Sequence, residues 1–137
     1  MAKITGADKH SARLKRMSGP AAFKLVEQAL FVAGQMIEVE AEISITTGSV
    51  SGKNHVPSKP GDPPNADTRT LDTNIETIVV SGNEPTVHVS SNAPYSQALE
   101  FGTSKMAERP FMRPATAKKR DEATALIRKA VDKANRG

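Results

Sequence analysis

The sequence predicts an α+β fold, in which a long N-terminal helix and a basic C-terminal helix pack on a small antiparallel sheet and an extended proline-rich arm leaves the body. Apolar residues recur at helical spacing near both ends, two short β-branched runs follow each other in the middle, and prolines and glycines crowd one stretch before them. The 137 residues are within the usual size of one domain, so we expect a single domain over residues 1–137.

Two helices are predicted in the first third of the chain. Residues 8–17 form a short basic helix with Asp8 as its cap. Pro20 then begins a second helix, because proline lacks an amide hydrogen that the first helical position does not need. Apolar residues recur at spacings of three and four from Pro20 to about Ile45, which is typical of a long core helix that packs on a sheet or on a neighbouring subunit.

An arm is predicted over residues 47–68, where four prolines and three glycines fall within 22 residues. No regular element is expected there. Proline-rich backbone is already extended, so ordering it against a partner costs less conformational entropy. We therefore expect the arm to reach out onto an adjacent subunit or onto a neighbouring protein. Its predicted interface residues are Val56, Pro57, Lys59, Pro60 and Asp62.

A β-hairpin follows the arm. Its first β-branched run extends from Leu71 to Val80 and its second from Thr86 to Ser91, with a Gly- and Pro-containing turn between them. In the second run, Val87 and Val89 share one face of the sheet because successive side chains alternate.

Two further helices are predicted after the hairpin. Residues 94–101 form a short helix that ends at Gly102, where glycine allows a left-handed turn. In a chain with few aromatics, we expect Tyr95, Leu99 and Phe101 to anchor this helix against the hairpin and the long helix. Residues 114–135 form the last helix, with an apolar stripe opposite a basic face.

A stiff segment lies before the last helix. Pro110 and Pro114 bracket Phe111 and Met112, so two apolar side chains are held on a restricted backbone. Such a segment suits docking into a neighbouring subunit or packing into the core beneath, and the sequence leaves both open. Phe111, Met112 and Arg113 complete the predicted interface.

The composition argues against an enzyme. No cysteine is present, which excludes disulfides, thiolate metal sites and cysteine nucleophiles. His10, His55 and His88 are the imidazole bases available, and none lies beside a nucleophile or metal-binding motif. We expect no catalytic residue, cofactor or metal. Because no apolar run approaches the length of a membrane span or a secretory signal, we also expect no membrane contact and a cytosol-like compartment.

Charge is divided along the chain. Residues 1–24 carry a net charge of +5 and residues 105–137 a net charge of +6, whereas residues 25–46 carry −4 and residues 47–104 carry −3. Basic ends flanking an acidic middle are consistent with nucleic acid bound near the termini. They are equally consistent with head-to-tail docking of one subunit's basic end on the acidic middle of the next. For the basic C-terminal helix, a solvated face is the default interpretation and contact with a polyanion the alternative.

Two motifs carry a resemblance to a known family. They are residues 93–103, Ala-Pro-Tyr-Ser-Gln-Ala-Leu-Glu-Phe-Gly-Thr, and residues 109–115, Arg-Pro-Phe-Met-Arg-Pro-Ala. With the preceding helix, proline-rich arm and hairpin, they closely resemble the tail-component family of long-tailed bacteriophages and prophages known as the "gene product ten-like" family. The resemblance covers roughly residues 10–135.

The resemblance implies a virion protein of the phage neck, assembled in the host cytoplasm. It would be a tail terminator or tail-completion protein, assembling as a homo-oligomeric ring, commonly a hexamer, on the head-proximal end of the tail tube. Its partners would be further copies of itself, the tail tube protein and a head-closure or connector protein. Any contact with phage DNA in the lumen would be transient. A head-closure or connector role at the portal is the alternative, followed by a nucleic-acid-binding protein.

Overall fold

The computed structural model describes residues 5–47, 52–64 and 70–136. Within these ranges the fold is α+β, as predicted, with a two-stranded antiparallel sheet. The helices are α1 Ala7–Ser18, α2 Pro20–Thr46, α3 Thr70–Thr73, α4 Ser96–Phe101 and α5 Met112–Arg136, and the strands are β1 Ile75–Val80 and β2 Thr86–Ser91.

Helix α2 is the central element. It begins at Pro20 behind an extended Gly19 N-cap, and both the sheet and α5 pack against it. The C-terminal helix therefore packs along α2 more than on the sheet. One ion pair ties the two helices together, with Lys118 Nζ 2.6 Å from Glu40 Oε1 and the Glu40 side chain largely buried.

Gly34 allows α2 to approach the sheet closely. A Cβ atom at this position would lie 2.6 Å from Thr77 Cγ2, 3.1 Å from Val87 Cγ1 and 3.2 Å from Val89 Cγ2. Val87 and Val89 thus share the face of the sheet that covers α2, as their alternation predicts. Beside this contact, the Thr77 hydroxyl donates a 2.5 Å hydrogen bond to Glu38 Oε2 on α2.

The hairpin is shorter than its first β-branched run suggested. Strand β1 begins at Ile75 and pairs with β2 from Ile75 opposite Ser91 to Val80 opposite Thr86. Leu71 and Thr73, predicted as part of the strand, lie instead in the single turn α3. Leu71 is buried there because the turn brings it into the core cluster, so its apolar character reflects core packing and not a strand.

The core is small and built largely from small side chains. Its largest fully buried side chains are Phe111 and Ile45. The cluster around them joins residues of α2, α3, β1, the segment between β2 and α4, and the start of α5: Ala41, Ile45, Leu71, Ile75, Ala93, Phe111 and Ala115. Both motifs thus contribute to the same core, through Ala93 in the first and through Phe111 and Ala115 in the second.

Helix α1 differs from the prediction at its start. Its N-cap is Gly6 in a left-handed conformation with φ 91°, and Asp8 lies inside the first turn without capping it. Residues 7–15 are all exposed, and Leu14 is 50% exposed. The helix contacts α2 and α5, and none of its described residues is buried.

The described part of the arm, residues 52–64, differs in part from the predicted extension. Gly52–Asn54 form one turn of 3₁₀ helix, where no regular element was expected. Farther along, the Gly61 N–H donates a 2.9 Å hydrogen bond to the Glu108 carbonyl, and Pro64 is buried. This end of the arm therefore lies on the chain's own body. The remaining predicted arm residues lie outside the described ranges, apart from Thr47.

Candidate assembly surface around Glu100

A buried carboxylate joins the two motifs. Glu100, on α4, is 5% exposed and accepts three backbone hydrogen bonds from the start of α5. Its Oε2 accepts from Phe111 N at 2.8 Å and from Met112 N at 3.0 Å, and its Oε1 accepts from Arg113 N at 2.9 Å. These N–H groups have no partner inside their own helix, so Glu100 caps α5 from a different element. We call this arrangement the Glu100 clamp.

Arg113 completes the clamp from the solvent side. Its Nε donates to Glu100 Oε1 at 3.0 Å, and its Nη2 donates to the Glu100 carbonyl at 2.6 Å and to Glu108 Oε2 at 2.8 Å. The guanidinium carbon also lies 5.3 Å from the centre of the Phe101 ring, within cation–π distance. One side chain therefore ties α4, the loop at Glu108 and α5 together.

The clamp keeps Glu100 ionised. Burial alone would raise the pKa of Glu100, but the backbone hydrogen bonds from Phe111, Met112 and Arg113, together with the Arg113 side chain, outweigh it, so the net pKa is lowered. The carboxylate also lies at the positive end of the α5 dipole, which favours the same charge state. An ionised carboxylate that accepts four hydrogen bonds from residues 111–113 holds the start of α5 in place.

Gly102 lets the chain turn tightly after α4. Its φ of 75° and ψ of 176° lie in a region that is essentially confined to glycine. A Cβ atom here would lie 2.9 Å from the Glu108 backbone nitrogen. The prediction of a positive φ at Gly102 is confirmed. The turn returns the chain to α4, where Arg109 N donates to the Leu99 carbonyl at 2.6 Å.

Two of the three predicted anchors are on the surface. Leu99 packs against the core cluster, as expected. Tyr95 is 44% exposed and Phe101 is 64% exposed, so the prediction that they anchor α4 in the core is wrong. Because the core beneath α4 is already filled by Leu99 and Phe111, these two aromatic rings are left facing outward. Phe101 and Arg113 lie together on this surface, through the cation–π contact between them.

Comparison with protein families places the chain. Residues 8–102 match the HK97-gp10-like family, described as "Bacteriophage HK97-gp10, putative tail-component". The chain belongs to this family. No curated protein and no solved structure shows significant similarity to it. The HK97-gp10-like description fits a structural component of the phage tail, and hence a protein of the virion.

The family match covers the first motif only in part. It ends at Gly102, at the C-cap of α4, so residues 109–115 lie beyond it. In this HK97-gp10-like chain the Glu100 clamp nevertheless makes both motifs one unit, because the matched part supplies the carboxylate and the following part supplies the N–H groups.

The predicted interface residues divide into two groups. Val56, Pro57, Lys59, Pro60 and Asp62 are exposed on the described part of the arm. In the second motif, Arg113 is exposed, Met112 is half-buried, and Phe111 is fully buried in the chain's own core. Of the two roles left open for Phe111, the structure favours core packing, so its side chain is not available for a neighbouring subunit.

The described residues include side chains of the kinds that bind metal ions. Among them, no group of three or more His, Asp or Glu side chains could hold a metal ion. His88 is exposed on the sheet face opposite Val87 and Val89. None of the described helices combines the length and apolarity needed to cross a bilayer.

Sequence reasoning missed Glu100, although a signal for it exists. Residues 109–111, Arg-Pro-Phe, provide no Ser, Thr, Asp or Asn to cap the helix that follows. A carboxylate flanked by Leu99 and Phe101 on a short helix is a candidate to supply such a cap from outside. The two facts together could have predicted the clamp.

Proposed function

We propose that this protein is a tail terminator: a ring of copies that ends polymerisation of the tail tube and joins the tail to the head. The ring would meet the tube protein on one side and a head-closure or connector protein on the other. This assignment is finer than the family description, which gives a tail component.

One observation carries the proposal. The two motifs build a partly aromatic surface on which Phe101 is 64% exposed, and the Glu100 clamp ties this surface to the start of α5. Exposed aromatic and arginine side chains on a preorganised surface are typical of protein–protein contacts. The charged groups of the clamp are used to hold the backbone at the start of α5 in place.

The arm supplies a second contact in this proposal. Its exposed residues Val56, Pro57, Lys59, Pro60 and Asp62 would contact the adjacent subunit or the tube, while Gly61 and Pro64 hold its end on the chain's own body. Limited proteolysis checks this. We expect slower cleavage within residues 52–60 in assembled tails than in the free protein, and equal rates would contradict it.

A stop codon placed early in the gene tests the main proposal. Particles from the resulting lysate are viewed by negative-stain microscopy and tail lengths are scored. Overlong tubes without a uniform end, beside unjoined filled heads, are expected. Normal-length tails lying free beside emptied heads would contradict termination and assign the protein to head closure instead. Binding of the free protein to duplex DNA that weakens steeply with salt would favour the nucleic-acid alternative.

A further inference from the structure

The β-hairpin has two outer edges without a partner strand. Within the described ranges the sheet consists of β1 and β2, which pair with each other over six consecutive residue pairs. In an antiparallel pair, alternate residues turn their N–H and C=O groups away from the partner strand. Each strand therefore presents a row of backbone donors and acceptors along its outer side.

One hydrogen bond identifies the residues in these rows. Asn92 N donates to the Asn74 carbonyl at 2.9 Å, so these two residues are a directly bonded pair next to the end of the ladder. Along the register from this pair, the even-numbered residues bond across the hairpin and the odd-numbered residues turn their backbone groups outward. We call Ile75, Thr77 and Val79 the β1 edge, and Val87, Val89 and Ser91 the β2 edge.

The two edges are almost free of hydrogen bonds. The Ser91 carbonyl accepts one of 3.5 Å from the Ser96 hydroxyl, at the end of the β2 edge. No other hydrogen bond between described residues reaches the outward backbone groups of either edge. The remaining donors and acceptors of both rows are thus available to another strand.

Both edges border open grooves. Val79 is 45% exposed and lines one groove together with Phe31 of α2. Val89 lines a second groove together with Phe101 and Arg113. A strand added to the β2 edge would therefore lie beside the surface that the proposed function uses.

Neither edge has the features that prevent strand addition. Natural proteins commonly protect an exposed edge with lysine, proline or a bulge. Strand β1 reads Ile-Glu-Thr-Ile-Val-Val and β2 reads Thr-Val-His-Val-Ser-Ser, without lysine or proline, and their register has no bulge. The charged residue of β1, Glu76, accepts a hydrogen bond from the Asn92 side chain. Unprotected edges of this kind are typical of strands that are paired in an assembly.

We propose that the β1 edge of one copy pairs with the β2 edge of the next copy, so that the hairpins of neighbouring copies form one continuous antiparallel sheet. Each copy supplies one edge of each kind, with three outward residues on both. Because two different edges meet, the contact is heterologous and closes into a ring in which no edge stays unpaired. A β2–β2 contact, or a foreign strand on β2, would leave the β1 edges open. The inference rests on the proposed ring and specifies which surfaces build it.

The joined sheet brings particular side chains together. Between copies, the odd-numbered residues form the bonded pairs and the even-numbered residues the non-bonded pairs, whose Cα atoms are about 4.5 Å apart. Ile78, which is 42% exposed, is an even-numbered residue of β1. It therefore lies opposite an even-numbered residue of β2 in the next copy, which is Thr86, His88 or Ser90 depending on the register. A separation of this size is within the range that a disulfide spans.

Single engineered cysteines test the contact, because the chain has none of its own. Ile78→Cys is placed on a copy with a large tag, and Thr86→Cys, His88→Cys or Ser90→Cys on a copy with a small tag. Separate copies are needed because Ile78 and His88 face each other within one hairpin. The copies are mixed, oxidised as purified protein and in assembled tails, and separated by non-reducing electrophoresis. Ile78→Cys mixed with Ala125→Cys, on an exposed position of α5, is the control.

We expect a cross-linked species that contains both tags for at least one β2 position, with a yield about tenfold or more above that of the Ala125 control. Cross-links between two copies of the same β2 variant, without mixed species, would indicate a two-fold contact and overturn the inference. Absence of mixed species in both samples would also overturn it, whether a tube or connector strand then covers the edge. Overlong tubes in the stop-codon lysate would in that case still support the proposed function.

A proline substitution tests whether backbone groups make the contact. The Val79 N–H points outward, so Val79→Pro removes a donor from the β1 edge and leaves the bonds between β1 and β2 in place. Val79→Ala is the control, because it shortens the same side chain and keeps the N–H. In the Ile78→Cys copy we expect Val79→Pro to lower the cross-link yield about tenfold or more relative to Val79→Ala. Equal yields from the two variants, both shown to be folded by circular dichroism, would contradict pairing of strand edges.

Discussion

Glu100 Oε2 accepts a hydrogen bond from Phe111 N at 2.8 Å, and this contact joins the two motifs of the chain. Phe111 is fully buried in the core. Glu100 is followed in the chain by Phe101, whose ring is exposed. The same carboxylate and Arg113 thus link the core to the surface that carries Phe101 and Arg113.

Replacing the clamp carboxylate should destabilise the protein. Glu100→Gln leaves backbone N–H groups of α5 and the Arg113 guanidinium without their charged partner, and we expect a loss of about 2–4 kcal/mol in the free energy of unfolding. Urea unfolding followed by circular dichroism measures it. Glu108→Gln is the matched control, since its pair with Arg113 is solvent-exposed and should change stability little. Equal effects of the two substitutions would contradict the clamp.

The clamp also predicts a pH dependence. Because the pKa of Glu100 is lower in the folded than in the unfolded chain, the unfolded state binds the proton more readily, and stability rises with pH through this range. The contribution of Glu100 is present above its pKa in the unfolded chain and is lost as the pH falls through the lowered pKa of the folded chain. The stability difference between wild type and Glu100→Gln should therefore shrink in acid. A difference that stays constant from about pH 7 to pH 3 would count against this account.

Gly34 should resist substitution although it lies within a helix. Replacing an exposed glycine within a helix by alanine usually raises the free energy of unfolding by about 1 kcal/mol. Here the new Cβ would lie 2.6 Å from Thr77 Cγ2, so Gly34→Ala should cost about 1–3 kcal/mol through overpacking. Adding Thr77→Ser removes that methyl group and keeps the hydroxyl that bonds Glu38, and should restore most of the loss. Stabilisation by Gly34→Ala alone would show that α2 and the sheet are not in close contact.

Gly102→Ala should be more harmful than Gly61→Ala. Both glycines have positive φ, 75° and 89°, so both substitutions strain the backbone. At Gly102 the added Cβ would also approach the Glu108 nitrogen to 2.9 Å, whereas nothing lies within 4 Å at Gly61. We expect about 1–3 kcal/mol for Gly102 from backbone strain alone, and more with the clash. Thermal unfolding of both variants measures which substitution lowers stability more. A greater loss of stability for Gly61→Ala than for Gly102→Ala would contradict this prediction.

Local patterns predicted much of the fold. The helix from Pro20, the turn-bounded strand from Thr86 to Ser91 and the positive φ at Gly102 each depend on residues close in sequence, where propensity and periodicity act directly. Contacts between residues that are distant in the sequence are harder to predict. The close approach at Gly34 and the cap supplied by Glu100 both depend on tertiary packing, which one sequence does not specify.

The errors have a common physical origin. Their aromatic character predicts a core position for Tyr95 and Phe101, but apolar groups also cover much of a protein surface. The β-branched run predicts a strand at Leu71, although its buried position comes from a single helical turn. Residue type alone therefore does not decide whether a side chain is buried or lies in a strand. Both depend on which other elements pack against the residue in the folded chain.

In the proposed function, the surface around Phe101 and Arg113 ends the tail tube and joins the tail to the head. Tail lengths in the stop-codon lysate, complemented with wild type or with Phe101→Ser, test it most directly. Because Phe101 is 64% exposed and its ring makes one cation–π contact with Arg113, the substitution should cost no more than about 1 kcal/mol in stability. We predict uniform tails with wild type and overlong, unjoined tubes with Phe101→Ser. Uniform, joined tails with Phe101→Ser would contradict the claim.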